Sequence, residues 1–125
     1  MLLNLSNIIV WYDVRTIISM KRKLEKIILF CDKAMHAKLV INLIQKTAKN
    51  IQISLAANFR QLSSLLREKI PDLILIHTLK PENRQKTIIS RLRKNKAADH
   101  IPVLIYLSKN VDDGLVNMLK KFESL

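Results

Sequence analysis

The sequence predicts an α/β domain: a doubly wound parallel sheet with helices on both faces, cut short after a fourth strand–helix unit and preceded by an N-terminal extra segment. Three observations carry this prediction. Ile27-Ile28-Leu29-Phe30, Leu73-Ile74-Leu75-Ile76 and Val103-Leu104-Ile105-Tyr106-Leu107 are continuously apolar, and unbroken rather than alternating apolarity marks strands covered on both faces. Stretches with helical spacing follow each run, so strand and helix alternate through the chain, the pattern of parallel sheets. The length of 125 residues, 49% of them apolar, suits one domain with ample material for a core.

The first residues are apolar, but Asp13 and Arg15 interrupt them well short of the ~20 residues that cross a bilayer. They also lack the leading positive charge and small cleavage-site residues of a signal peptide. Ile8, Ile9, Val10, Trp11, Tyr12 and Val14 are β-branched or aromatic, so residues 8–14 are expected to form an extra strand. Met20 precedes the basic junction Lys21-Arg22-Lys23 and offers an alternative start. The reading therefore divides the chain into an N-terminal extension, residues 1–25, and a domain, residues 26–125.

Within the domain, residues 34–48 carry Met35, Leu39, Val40, Leu43 and Ile44 at helical spacing after the first apolar run. Next, Ile51, Ile53, Leu55 and Ala57 alternate with Gln52 and Ser54, as in a half-covered edge strand. Residues 59–69 place Leu62, Leu65 and Leu66 on one helical face, with Asn58 as N-cap. Pro71 and Pro102 stand at strand starts, where a missing N–H is tolerated, and Pro81 punctuates the loop after the third strand. Residues 83–94 set Ile88, Ile89 and Leu92 against Arg84, Arg91, Arg93 and Lys94. A last helix is expected over 111–122 through Val111, Leu115, Met118, Leu119 and Phe122, capped by Asn110.

Composition excludes several chemistries. The single glycine, Gly114, leaves no means of building a phosphate-cradling loop or a dinucleotide fingerprint, which need glycines for close backbone approach. The single cysteine, Cys31, rules out an internal disulfide framework and a cysteine-rich zinc site, and suits a reducing compartment. Lys and Arg number 22 against ten acids, a formal net charge of +12, which attracts polyanions but says nothing of fold.

The segments themselves resemble the response-regulator receiver (CheY-like) family. Lys26-Ile27-Ile28-Leu29-Phe30-Cys31-Asp32 looks like its first strand, which ends in an acidic pair. Pro71-Asp72-Leu73-Ile74-Leu75-Ile76-His77 resembles the third strand, which runs into the phosphoacceptor aspartate. Thr78-Leu79-Lys80-Pro81 keeps the spacing to the proline of the next loop, and His100-Ile101-Pro102-Val103-Leu104-Ile105-Tyr106-Leu107-Ser108 resembles the fourth strand with its terminal hydroxyl residue. The likeness covers about residues 26–122. It implies a flavodoxin-like strand order of 2-1-3-4-5, with the site at the switch between the first and third strands.

The family's phosphorylation pocket is degenerate in this chain. Cys31 stands for the first acid of the pair and only Asp32 remains. His77 stands for the phosphoacceptor, Leu107 for the hydroxyl residue with Ser108 one place on, and the chain ends before a fifth strand and its lysine. Mg²⁺ needs hard oxygen ligands that this set does not supply. His77 has three readings: metal ligand, phosphohistidine, or a histidine filling the old pocket against Asp32. With one carboxylate nearby and no second histidine in sequence reach, the last is the expectation. Asp32 also reads as an N-cap for the 34–48 helix. Cys31 reads as a redox sensor or as a small apolar residue closing a strand, and His100 as an exposed loop residue.

Arg84, Lys86, Arg91, Arg93, Lys94 and Lys96 form the densest positive cluster. They read as a contact for nucleic acid or an acidic partner, or as a solvated helix face. The aromatics fall in core patterns, so no stacking platform for single strands is evident. Because a sheet ending at Val103–Leu107 exposes an apolar edge, the reading expects residues 8–14 or a partner chain to fill it. The function expected is a non-catalytic, cytoplasmic pseudo-receiver in two-component signalling, with no cofactor, no metal and no membrane. It acts through a protein partner or a second copy, by the last helix and its adjacent strand or by the 34–48 helix, where Val40 and Ile41 widen the apolar stripe. The alternative is a basic nucleic-acid-binding regulator.

Overall fold

The three apolar runs lie side by side in one six-stranded sheet. The structure, a computed structural model, describes residues 2–5, 8–12, 24–31, 33–47, 49–78, 83–96 and 98–107. In chain order its elements are β1 (Leu2–Leu5), β2 (Ile8–Tyr12), β3 (Lys26–Phe30), α1 (Ala34–Thr47), β4 (Gln52–Ala56), α2 (Phe59–Glu68), β5 (Leu73–Thr78), α3 (Asn83–Lys94) and β6 (Val103–Leu107). The helix expected over 111–122, with its Asn110 cap, lies outside the described residues.

The sheet order is β1-β2-β6-β5-β3-β4. The β3–β4, β3–β5 and β5–β6 pairs are parallel, so the four strands of the domain run in the order 2-1-3-4, the doubly wound arrangement. The sheet does not stop at β6. The backbone of β2 pairs antiparallel with it, Val10 opposite Tyr106 and Trp11 opposite Ile105, and β1 pairs antiparallel with β2. The whole sheet is therefore mixed, a parallel centre carrying an antiparallel margin.

Strand alternation sends neighbouring side chains of β3, β5 and β6 to opposite faces, and both faces are buried. On one side Ile27, Leu29, Leu73, Leu75, Leu104 and Tyr106 pack with Ala37, Val40 and Ile44 of α1. On the other, Ile28, Ile74, Ile76, Val103 and Ile105 pack with Leu62 and Leu66 of α2 and Leu92 of α3. Each aliphatic side chain so enclosed stabilises the fold by about 1.5–3 kcal/mol. Burial on two sides is the physical cause of the unbroken apolar runs.

Two details depart from the sequence reading. The strand at the sheet margin ends at Ala56, which is buried beside Ile28 on the α2 side, while Ala57 is exposed and outside the strand. Leu55, expected on the covered face, is 41% exposed, because β4 has a strand neighbour on one side alone. In α1, Val40 and Ile41 do not form a surface: Val40 is fully buried and Ile41 packs against the core. The apolar residues that α1 presents to solvent are Met35, 80% exposed, and Leu39, 55% exposed.

Polar side chains fasten the joints. The Asp72 carboxylate accepts from the backbone N–H groups of Glu25 and Lys26, both at 2.9 Å, and Asp72 N–H donates to Lys26 O at 2.8 Å. One aspartate thus sets the register at which β5 meets β3. At the start of α2, Asn58 Oδ1 accepts from Gln61 N–H at 2.9 Å, and Gln61 Oε1 accepts from Ala57 N–H at 2.7 Å. This reciprocal arrangement is a relative of the capping box.

Candidate functional site

The chain leaves β3 into α1 on one side of the sheet, and reaches β5 by way of α2 on the other. The connections therefore diverge between β3 and β5, and the crevice beyond the carboxyl ends of those strands is where such folds place their sites. Cys31 follows the last residue of β3, anchored by its N–H to Ala56 O at 3.0 Å. His77 stands near the end of β5, in register with Tyr106 of the neighbouring strand β6. His36 belongs to the first turn of α1.

These four side chains form one cluster on the α1 side. His77 is only 3% exposed, although it carries an ionisable ring. Its Nδ1 lies 3.9 Å from the Cys31 sulfur, and the Cys31 thiol also reaches Lys33 O at 3.5 Å. The Tyr106 ring stacks on the His77 ring, centroids 5.6 Å apart and planes 26° from parallel. The His36 ring approaches from α1, 5.8 Å between centroids and tilted by 38°. The position is thus filled by rings and a thiol, and Cys31 is itself 3% exposed. Among the described residues no group of three or more His, Cys, Asp or Glu side chains is arranged to hold a metal ion.

The sequence reading identified Cys31 and His77 here and missed two members. A second histidine does stand beside His77: His36, distant in sequence but brought in by the β3–α1 connection. Tyr106 was read as core, and it is core, yet it also forms one wall of the site. The register sets Ile74 opposite Val103, so residues 77 and 106, three places further along each strand, stand side by side. Leu107 stands one step further, opposite Thr78. Asp32 and Ser108 lie outside the described residues, and with them the contact expected between Asp32 and His77.

The basic cluster is not one uniform charged face. Arg93 turns its guanidinium inward, donating from Nη1 to the carbonyl oxygens of Ala98, Asp99 and Ile101 at 3.3, 3.0 and 2.7 Å. A planar fork of donors suits such a task, satisfying loop carbonyls ahead of β6. The Arg91 guanidinium stands 5.3 Å from the Phe59 ring centroid, tying α3 to α2 by a cation–π contact. Lys94 and Lys96 are exposed, while Arg84 and Lys86 are placed on α3 by its backbone alone. His100 is exposed, its Nδ1 3.2 Å from Asp99 Oδ1.

No protein-family model matches the chain, and no curated protein matches it. Solved structures do. The signal receiver domain of a signal transduction histidine kinase from Syntrophus aciditrophicus is 21% identical, with 80% of this chain and 90% of that one covered and a TM-score of 0.64. A response regulator from Thermotoga maritima is 19% identical over 80% of this chain and 79% of that one, TM-score 0.56. The phosphorylated cyanobacterial phytochrome response regulator RcpA is 17% identical over 80% and 76%, TM-score 0.55. At such identities the likeness is one of fold: the domain has the α/β architecture of CheY-like receivers. No helix among the described residues is long and apolar enough to cross a membrane.

Proposed function

We propose that this chain is a pseudo-receiver: a regulatory module of receiver fold that takes up no aspartyl phosphate and works through protein contacts. The observation that carries the reading is His77. It stands near the end of β5, where the resemblance expects the phosphoacceptor, and it is packed against Cys31, His36 and Tyr106 with 3% exposure. An imidazole offers no carboxylate from which an acyl phosphate can form, and at 3% exposure the ring presents little of itself to a phosphodonor. Cys31 at the position of an acid removes a hard oxygen ligand for Mg²⁺. A module of this kind rests in one state or is switched by the partner that binds it. Incubation of the full chain with acetyl phosphate and Mg²⁺ should leave its mass unchanged; gain of one phosphoryl group overturns the reading.

The net charge of +12 favours a second reading, a basic nucleic-acid-binding regulator. That reading requires binding to generic duplex DNA that weakens steeply as salt rises, through counterion release. Absence of such binding at low salt removes it.

A further inference from the structure

We propose that the open edge of β4 pairs with its own copy, joining two molecules into one continuous sheet about a two-fold axis at Ser54. The inference rests on the protein-contact reading above and names a second copy of this chain as the partner. Two hydrogen bonds show which way β4 points its backbone. Gln52 N–H donates to Glu25 O at 2.8 Å, and Ala56 O accepts from Cys31 N–H at 3.0 Å. Backbone groups alternate in direction along a strand. Gln52, Ser54 and Ala56 therefore face β3, and the N–H and C=O groups of Ile53 and Leu55 face outward. Among the described residues no strand lies on that side.

Edges of this kind are ordinarily blunted by a charge, a proline or a bulge. β4 has none of these. Its sequence is Gln-Ile-Ser-Leu-Ala, and its register against β3 is unbroken from Gln52 to Ala56. In a chain with 22 lysines and arginines, no residue from Asn50 to Phe59 is charged.

Symmetry names the occupant. In an antiparallel pair, residues that exchange both hydrogen bonds alternate with residues that exchange none. With the axis at Ser54, Ile53 exchanges both bonds with the partner's Leu55, and Leu55 does so with the partner's Ile53. Ile53 and Leu55 share a face, so each Leu55, 41% exposed, meets an isoleucine across the seam. On the other face the exposed Ser54 meets its counterpart. The same axis lays the uncharged stretch against itself and sets Lys49 beyond the end of the partner's strand. A strongly charged strand of either sign would find no countercharge here. With +12 on each body, long-range repulsion opposes the contact and salt relieves it. That dependence is opposite in sign to the binding of a polyanion.

The test is sedimentation velocity of the full chain over a dilution series, at low and at high salt. Dimer should grow with concentration, and more strongly at high salt. Leu55→Lys should weaken association about tenfold or more, because a two-fold axis counts each change twice. Leu55→Pro should act alike, since it removes an N–H that β3 does not use. Circular dichroism checks that each variant is folded. Amide exchange places the contact: Ile53 and Leu55 should exchange freely in dilute solution and be protected in concentrated solution. The proposal is overturned by a monomer throughout, by a dimer indifferent to the Leu55 changes, by assemblies larger than a dimer, or by a dimer that salt dissociates. Protection of Ile53 and Leu55 already present in dilute solution also overturns it, because another segment of the chain then covers the edge. The two readings fail separately: phosphoryl uptake would end the pseudo-receiver reading without moving the sedimentation series, and a monomer throughout would leave the mass measurement as it stands.

Discussion

The two sides of the sheet follow different rules. On one, α2 buries Leu62 and Leu66 and shows solvent Arg60, Gln61, Ser64, Arg67 and Glu68. Its core partners are wholly apolar. On the other, α1 buries Ala37, Val40 and Ile44 yet still turns Met35 and Leu39 outward. The strands beneath it end in a buried thiol, imidazole and phenol. One buried stripe with a polar outer face is what folding alone asks of α2. On the α1 side two features exceed that need, and both lie towards the start of the same helix. Departure from the pattern that folding alone requires is where binding or regulation leaves its mark.

The comparison holds only if both sides are genuine core. Ile44 of α1 is 1% exposed and Leu62 of α2 is fully buried, so Ile44→Ala and Leu62→Ala should each destabilise by about 2–5 kcal/mol, the cost of lost transfer energy plus a cavity. Urea unfolding of the two variants reads this directly. A small effect at Ile44 beside a large one at Leu62 would break the symmetry of the interior and recast α1 as a loosely held element.

The polar fastenings described on the α2–α3 side sharpen the contrast at a smaller scale. Arg93→Ala removes the guanidinium donor shared by three loop carbonyls and should cost about 1–3 kcal/mol. Lys94→Ala, at an exposed neighbour, should change stability by no more than about 0.5 kcal/mol. If the two variants melt alike, Arg93 is merely part of a basic surface. Asn58→Ala removes the acceptor for Gln61 N–H at the start of α2 and should cost about 1 kcal/mol in the same assay.

How much of this was legible in the sequence depends on the range of the interaction concerned. The strands of the sheet centre were readable because enclosure on both faces leaves a run such as Leu73–Ile76 with no polar positions. The Asn58 cap was readable because its partner is three residues away. Arg93 was misread as part of a charged face, since its acceptors are backbone carbonyls, which leave no side-chain signature. His36 was missed for another reason. It meets His77 only because α1 packs on the face of the sheet to which β5 contributes, and no local pattern records a contact between residues so far apart in sequence. At the margin, Leu55 kept the alternation of a covered strand while losing the cover, because alternation reports strand geometry and not the presence of a neighbour.

The smallest expected effect decides most about α1. Met35→Ser with Leu39→Ser removes two large apolar side chains from a helix, a change that in a core would cost several kcal/mol. Both residues stand largely in water, 80% and 55% exposed, so their removal should leave stability within about 0.5 kcal/mol of the parent chain. Urea midpoints with an unchanged slope are the readout. A loss of 2 kcal/mol or more, on the scale of buried side chains, would mean that these residues close over apolar neighbours in solution; the second stripe of α1 would then be a piece of the core like that of α2. Neutrality leaves Met35 and Leu39 without a part in holding the fold, and what remains for them is the surface they present.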